Sequence, residues 1–147
     1  MAHYSTAQKR AQDYLRGIKI GERQIQLLEA EIELQQERLQ LNGVAFGEHV
    51  NSTMFGKAAE EGFTKLYEYC DKLDTELCGY VEERDEALEA INKLNDAMQR
   101  EVLYLFYFRC FTFSSIAKIL GYTRKSIYSY HDQALSNLYR FIPKQFR

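Results

Sequence analysis

Proline is almost missing from this chain: Pro143 is its one example among 147 residues. Nearly the whole length is therefore free to be helical, because nothing removes a backbone donor or clashes with the preceding turn. No apolar run approaches the roughly 20 residues that a membrane-spanning helix needs, and there is no signal peptide, which points to the cytoplasm and to no membrane partner. Cysteine is scarce and odd in number. Cys70, Cys78 and Cys110 show no Cys-x-x-Cys spacing and read as buried, reduced thiols, not as a zinc site. A glycine-rich phosphate loop is lacking as well, and the three histidines lie far apart without nucleophile partners. Catalysis, a cofactor and a metal centre are accordingly not expected.

What is present is enough for a core. Hydrophobic residues make up 46% of the chain and aromatic ones 14%, which argues against general disorder and for one domain, or a small domain with a helical appendage. The small net charge hides a division. Residues 1–95 carry 11 Lys/Arg against 18 Asp/Glu, and residues 96–147 carry 8 against 3. Phosphates repel the first part and attract the second, so any nucleic-acid contact belongs to the C-terminal part.

The first part reads as two long helices, all-α and coiled-coil-like. From about Tyr4 to Leu41, Ile18, Ile25, Ile32 and Leu39 recur every seven residues, and Ile20, Leu27, Leu34 and Leu41 form a second stripe about 160° away. Gly17 and Gly21 weaken this helix by roughly 1 kcal/mol each. Asn42-Gly43 is a stop signal, and a flexible loop is expected near 43–56, with His49 a solvated residue. A second helix is expected from about Lys57 to Leu94. Phe63, Cys70, Leu77 and Ile91 fill one of its seams, and Leu66, Leu73, Tyr80, Ala87 and Leu94 the other; Arg84 interrupts the first with a stem able to snorkel. Similar lengths and one loop imply a long antiparallel helical hairpin over residues 1–94. The second stripe would remain uncovered, so residues 18–94 are expected to form a homodimer.

Residues 95–147 form a second unit. Asp96 and Gln99 are spaced as a capping box for a third helix reaching about Arg109. Its run Val102–Phe108 is apolar or aromatic all round, and either packs in a core or offers a surface to another protein or a second protomer. The following segment has helix-turn-helix spacing. Ala117 is small where two helices cross, with Ile116 and Leu120 beside it, and Gly121 follows at the left-handed exit. Thr123 offers an N-cap hydroxyl, and Arg124, Lys125 and Ser126 make the next first turn. Ile127, Tyr130, Ala134, Leu135 and Leu138 form the inward face, leaving His131 and Asp132 among the residues partly or wholly outside.

The stretch from about Asn95 to Leu138 resembles region 4 of bacterial sigma factors, through Arg100-Glu-Val-Leu103, the gapless Thr112–Tyr128 segment and the closing Ala134-Leu-x-x-Leu138. The layout, with Tyr14-Leu15-Arg16 near the start, resembles small phage-encoded regulators of the RinA/ArpU type. That resemblance implies a regulator in a bacterial host cell, binding double-stranded DNA at late or packaging gene promoters. The motif puts the start of the second helix in the major groove. Arg124 or Lys125 would donate to guanine, and Gln133 would serve adenine. Ser126 and Ser129, shorter than the polar or basic residues frequent in such helices, would reach bases or phosphates. Thr112, Ser114, Ser115 and Lys118 would hold phosphates, Thr123 would contact DNA as well as cap its helix, and Tyr128 would either meet DNA or pack. Two other readings stand beside this one: an adaptor binding protein through the hairpin, and a DNA-packaging component.

Overall fold

A computed structural model describes residues 3–41 and 52–147. Its elements are α1 (Thr6–Leu41), α2 (Ser52–Asn92), α3 (Ala97–Leu103), α4 (Phe113–Leu120) and α5 (Arg124–Leu138), with single 3-10 turns at Tyr139–Phe141 and Lys144–Phe146. The fold is all-helical, and α1 and α2 pack antiparallel. No helix among the described residues is long and apolar enough to cross a membrane. The chain forms two compact units, one of residues 1–23 with 80–147 and one of residues 24–79.

Helix α1 starts at a reciprocal cap. Ser5 Oγ accepts from the Gln8 N–H at 3.2 Å, and Gln8 Oε1 accepts from the Ser5 N–H at 2.9 Å, so two otherwise orphaned donors are satisfied. In the first unit α1 buries Ala11, Tyr14, Leu15 and Ile18, while α2 buries Tyr80, Ala87, Ala90 and Ile91, and Leu94 is buried just beyond its end. Each fully buried leucine or isoleucine contributes about 1.5–3 kcal/mol. Arg84, the interruption in the α2 seam, reaches Glu22 at 3.9 Å and lies over the Phe108 ring. Gly21 faces the Tyr80 ring so closely that a β-carbon there would sit 2.6 Å from a ring atom. Absence of a side chain, not backbone freedom, is what this glycine supplies.

In the second unit Ile25, Gln35 and Leu39 are buried, and the Leu39 side chain lies against Gly62. Ile18, Ile25 and Leu39 are thus the inward stripe that their seven-residue spacing implies. Phe63 departs from its expected seam and is exposed. Helix α2 begins at Ser52, before the expected Lys57, because Gly56 costs a helix only about 1 kcal/mol. The rest of the expected loop, including His49, lies outside the described residues. The cysteines are free thiols, but not the buried ones expected: Cys78 is exposed, and Cys70 and Cys110 are half-buried.

Asp96 caps α3, its carboxylate accepting from the Met98 N–H at 2.8 Å. Gln99 does not close the expected capping box. It is buried, and its Oε1 accepts from Asn137 Nδ2 of α5 at 3.0 Å. The third helix also differs from expectation. Its α-form stops at Leu103, and Tyr104–Phe108 widen into a π-helical turn. The buried residues explain this. Val102 with Leu103 and Tyr107 with Phe108 are two adjacent pairs set five apart, and five is the hydrogen-bond spacing of a π turn. The Arg109 N–H reaches Tyr104 O at 3.1 Å, the Phe111 N–H reaches Leu105 O at 3.0 Å, and Cys110 takes a left-handed φ of 57°. Val102, Leu103, Tyr107 and Phe108 of this run are therefore core, while Tyr104, Leu105 and Phe106 are half-buried.

Candidate nucleic-acid interface

Two threonines and one glycine build the helix-turn-helix. Thr112 Oγ1 accepts from the Ser115 N–H at 3.2 Å and caps α4. Gly121 ends that helix at φ 73°, a left-handed conformation that side chains disfavour. Thr123 Oγ1 then accepts from the Ser126 N–H at 3.2 Å and opens α5. Beneath them Val102, Ile116, Ala117 and Ile127 form a buried cluster, with Leu105, Phe106, Phe111, Phe113, Leu120 and Tyr130 packed against it. The inward face of α5 follows its spacing: Ile127, Ala134, Leu135 and Leu138 are fully buried, and Tyr130 is half-buried against Tyr122.

Lys118, Arg124 and Lys125 are exposed, and none forms an ion pair with a carboxylate of the described residues. Ser114, Ser129 and Gln133 are exposed too, as are the capping threonines Thr112 and Thr123. Ser115 and Ser126 are half-buried, and each hydroxyl lies 3.0 Å from the threonine that caps its helix. These four hydroxyls are first of all local structure. Tyr128 packs its ring on Phe113, centroids 4.5 Å apart, and remains partly exposed.

Along α5 an open groove of about 490 Å³ gathers Lys125, Tyr128, Ser129 and Gln133 with Asp132, Ser136 and Asn137, and Gln8 of α1 and Gln99 of α3 also line it. Arg124 and the α4 residues Ser114, Ser115 and Lys118, with the capping Thr112, do not line it. Ser136, Asn137 and Gln8 were not singled out from the sequence. The first two continue the helical spacing of Ser129 and Gln133, and Ser5-x-x-Gln8 is a capping-box pattern; both signals are local and readable.

His131 corrects the expected outer face of α5. It is 1% exposed, and its Nε2 lies 2.8 Å from the Tyr107 hydroxyl. Phe106 and Phe113 meet its ring edge-on. Its Nδ1 lies 3.3 Å from the Asp132 carboxylate. A carboxylate only accepts, so Nδ1 carries the proton, and Nε2 accepts from Tyr107. Burial pushes the His131 pKa below its ordinary value, with the Asp132 hydrogen bond opposing. A neutral imidazole thus fixes the middle of α5 to the π turn. Nearby, the Lys19 ammonium sits 3.6 Å above the Phe106 ring, a cation–π contact that ties α1 to the same aromatic cluster.

Residues 90–140 match the family model described as Sigma-70, region 4. The match spans α3, α4 and α5 with the last turn of α2, about a third of the chain. No curated protein and no solved structure matches.

Proposed function

We propose, with residues 90–140 as a sigma region 4 helix-turn-helix for premise, that this protein is a sequence-specific DNA-binding transcriptional regulator. One observation carries the reading: the capped first turn of α5 presents Arg124 and Lys125 exposed and free of ion pairs among the described residues, beside exposed Ser129 and Gln133. Such a turn enters the major groove, where a bidentate basic side chain reads guanine. Lys118 and Ser114 on α4 flank it as phosphate contacts. The layout resemblance further supports a phage or prophage setting in a bacterial host, with late or packaging promoters as targets. RNA polymerase is the partner that a sigma-like module suggests, and the exposed stripe of α1 supports a homodimer.

Selection of bound DNA from a random pool tests the core of this reading. A consensus is expected. On that site, Arg124→Ala or Lys125→Ala should cost about 1–3 kcal/mol and relax preference at one base position. Equal loss on every sequence would mark a phosphate contact instead. Unchanged affinity for both variants would remove the major-groove model. A promoter-reporter assay with and without the protein then separates regulation from DNA packaging.

A further inference from the structure

Asp132 is the one acid in α5, and it stands two turns after Lys125 on the stripe that lines the α5 groove. A free carboxylate there would repel phosphates and favour only a donor such as the cytosine amino group. It is not free. The Tyr4 hydroxyl, 128 residues away in sequence, donates to Asp132 Oδ1 at 2.7 Å, and His131 Nδ1 approaches the same oxygen. Gln8 Nε2 donates to the Asp132 backbone carbonyl at 3.0 Å, while its Oε1 is held by the Ser5 N–H. The side chain of Asp132 keeps 29% of its surface exposed, so it would be able to turn outward if released. Burial together with this hydrogen bond pushes the Tyr4 hydroxyl up to about 12.

We propose that Tyr4, outside the helix-turn-helix, is a specificity-determining positioning residue: it holds the Asp132 carboxylate back from the DNA face of α5. Gln8 serves the same brace by anchoring the backbone at that residue. The proposal rests on α5 being the reading helix. It makes the start of α1 part of base selection without touching a base.

The test uses the full chain and the site selected by the unmodified protein. Tyr4→Phe keeps the ring and removes the donor. It should weaken binding to that site roughly tenfold and shift preference at one position toward cytosine. Asp132→Asn removes the charge to be restrained, so Tyr4→Phe added to Asp132→Asn should leave affinity and base preference as they are in Asp132→Asn alone. Thermal melting of all variants separates loss of fold from loss of reading. Wild-type affinity and preference in Tyr4→Phe would overturn the proposal while leaving the DNA-binding reading intact. An equal Tyr4→Phe effect in both backgrounds would overturn it too, because Tyr4 would then act through something other than Asp132. Should the unmodified protein select no consensus, both the reading and the proposal fall.

Discussion

His131 shows how one buried side chain ties pH to stability. Its proton affinity in the folded chain is lowered by burial among Tyr107, Phe106 and Phe113, with Asp132 facing it and Lys19 and Arg16 adding repulsion. The unfolded chain therefore takes up this proton first as pH falls. The stabilisation is fully present above the ordinary histidine value of about 6.5 and is lost as pH drops from there through the lowered folded value. Between about pH 7 and 5.5, before most carboxylates titrate, melting temperature should decline on acidification. The slope from this group is at most about 1.4 kcal/mol per pH unit. In His131→Gln the decline over that window should flatten; an unchanged slope would place the titrating group elsewhere. Spacing alone set this residue on the outer face of α5, since its partners lie 24 residues back in the π turn and depend on a helix irregularity.

At the scale of elements, the caps were legible and the irregularities were not. Thr123, Gly121 and Asp96 act within four residues of themselves, so their roles follow from local chemistry. The π turn answers to which pairs the rest of the molecule buries, and no stop signal marks it: a cysteine, not glycine or asparagine, takes the left-handed position at 110. Gly17 and Gly21 make the same point within one helix. By propensity they are equivalent, yet a β-carbon at Gly17 would meet nothing within 4 Å, while one at Gly21 would strike the Tyr80 ring. Gly17→Ala should therefore stabilise the protein by about 0.5–1 kcal/mol. Gly21→Ala should destabilise it by about 1–3 kcal/mol through overpacking. Denaturant titration of the two variants checks both signs. A stabilising Gly21→Ala would mean that the Tyr80 ring moves aside at no cost.

At the scale of the whole molecule, packing among the described residues leaves an apolar stripe in water. Ile20, Leu27 and Leu34, seven apart on α1, are 58%, 68% and 38% exposed. The double heptad pattern announced it, because two opposed stripes on one helix cannot both face a single partner helix. Magnitudes decide how strong a dimer it supports. Covering six half-exposed side chains contributes on the order of 1–2 kcal/mol each, comparable to the roughly 4–15 kcal/mol that association costs. The homodimer we propose would therefore be a weak one, which two adjacent DNA half-sites would strengthen by raising effective concentration. Light scattering across a concentration series should show mass rising toward twice that of the chain, and Leu27→Glu with Leu34→Glu should abolish the rise while keeping the fold and weakening DNA binding. A chain that stays monomeric at all concentrations, and binds DNA as the double variant does, would sink this assembly.

The unit that contains the helix-turn-helix is assembled from two separated pieces of chain, residues 1–23 and 80–147. Synthesis makes the earlier piece well before its partner. Tyr14, Lys19 and Gly21 then lack their neighbours Phe146, Phe106 and Tyr80 until the later piece is made, whereas residues 24–79 can pair among themselves sooner. Contacts across such sequence separations form late, since the intervening chain must be ordered before they contribute. The helix-turn-helix unit thus closes after residues 24–79 have had the chance to pair. A chain in which α1 has not docked would lack both the Lys19 contact with Phe106 and the Tyr4 hydrogen bond to Asp132, so α5 gains its long-range supports only when the two pieces have met.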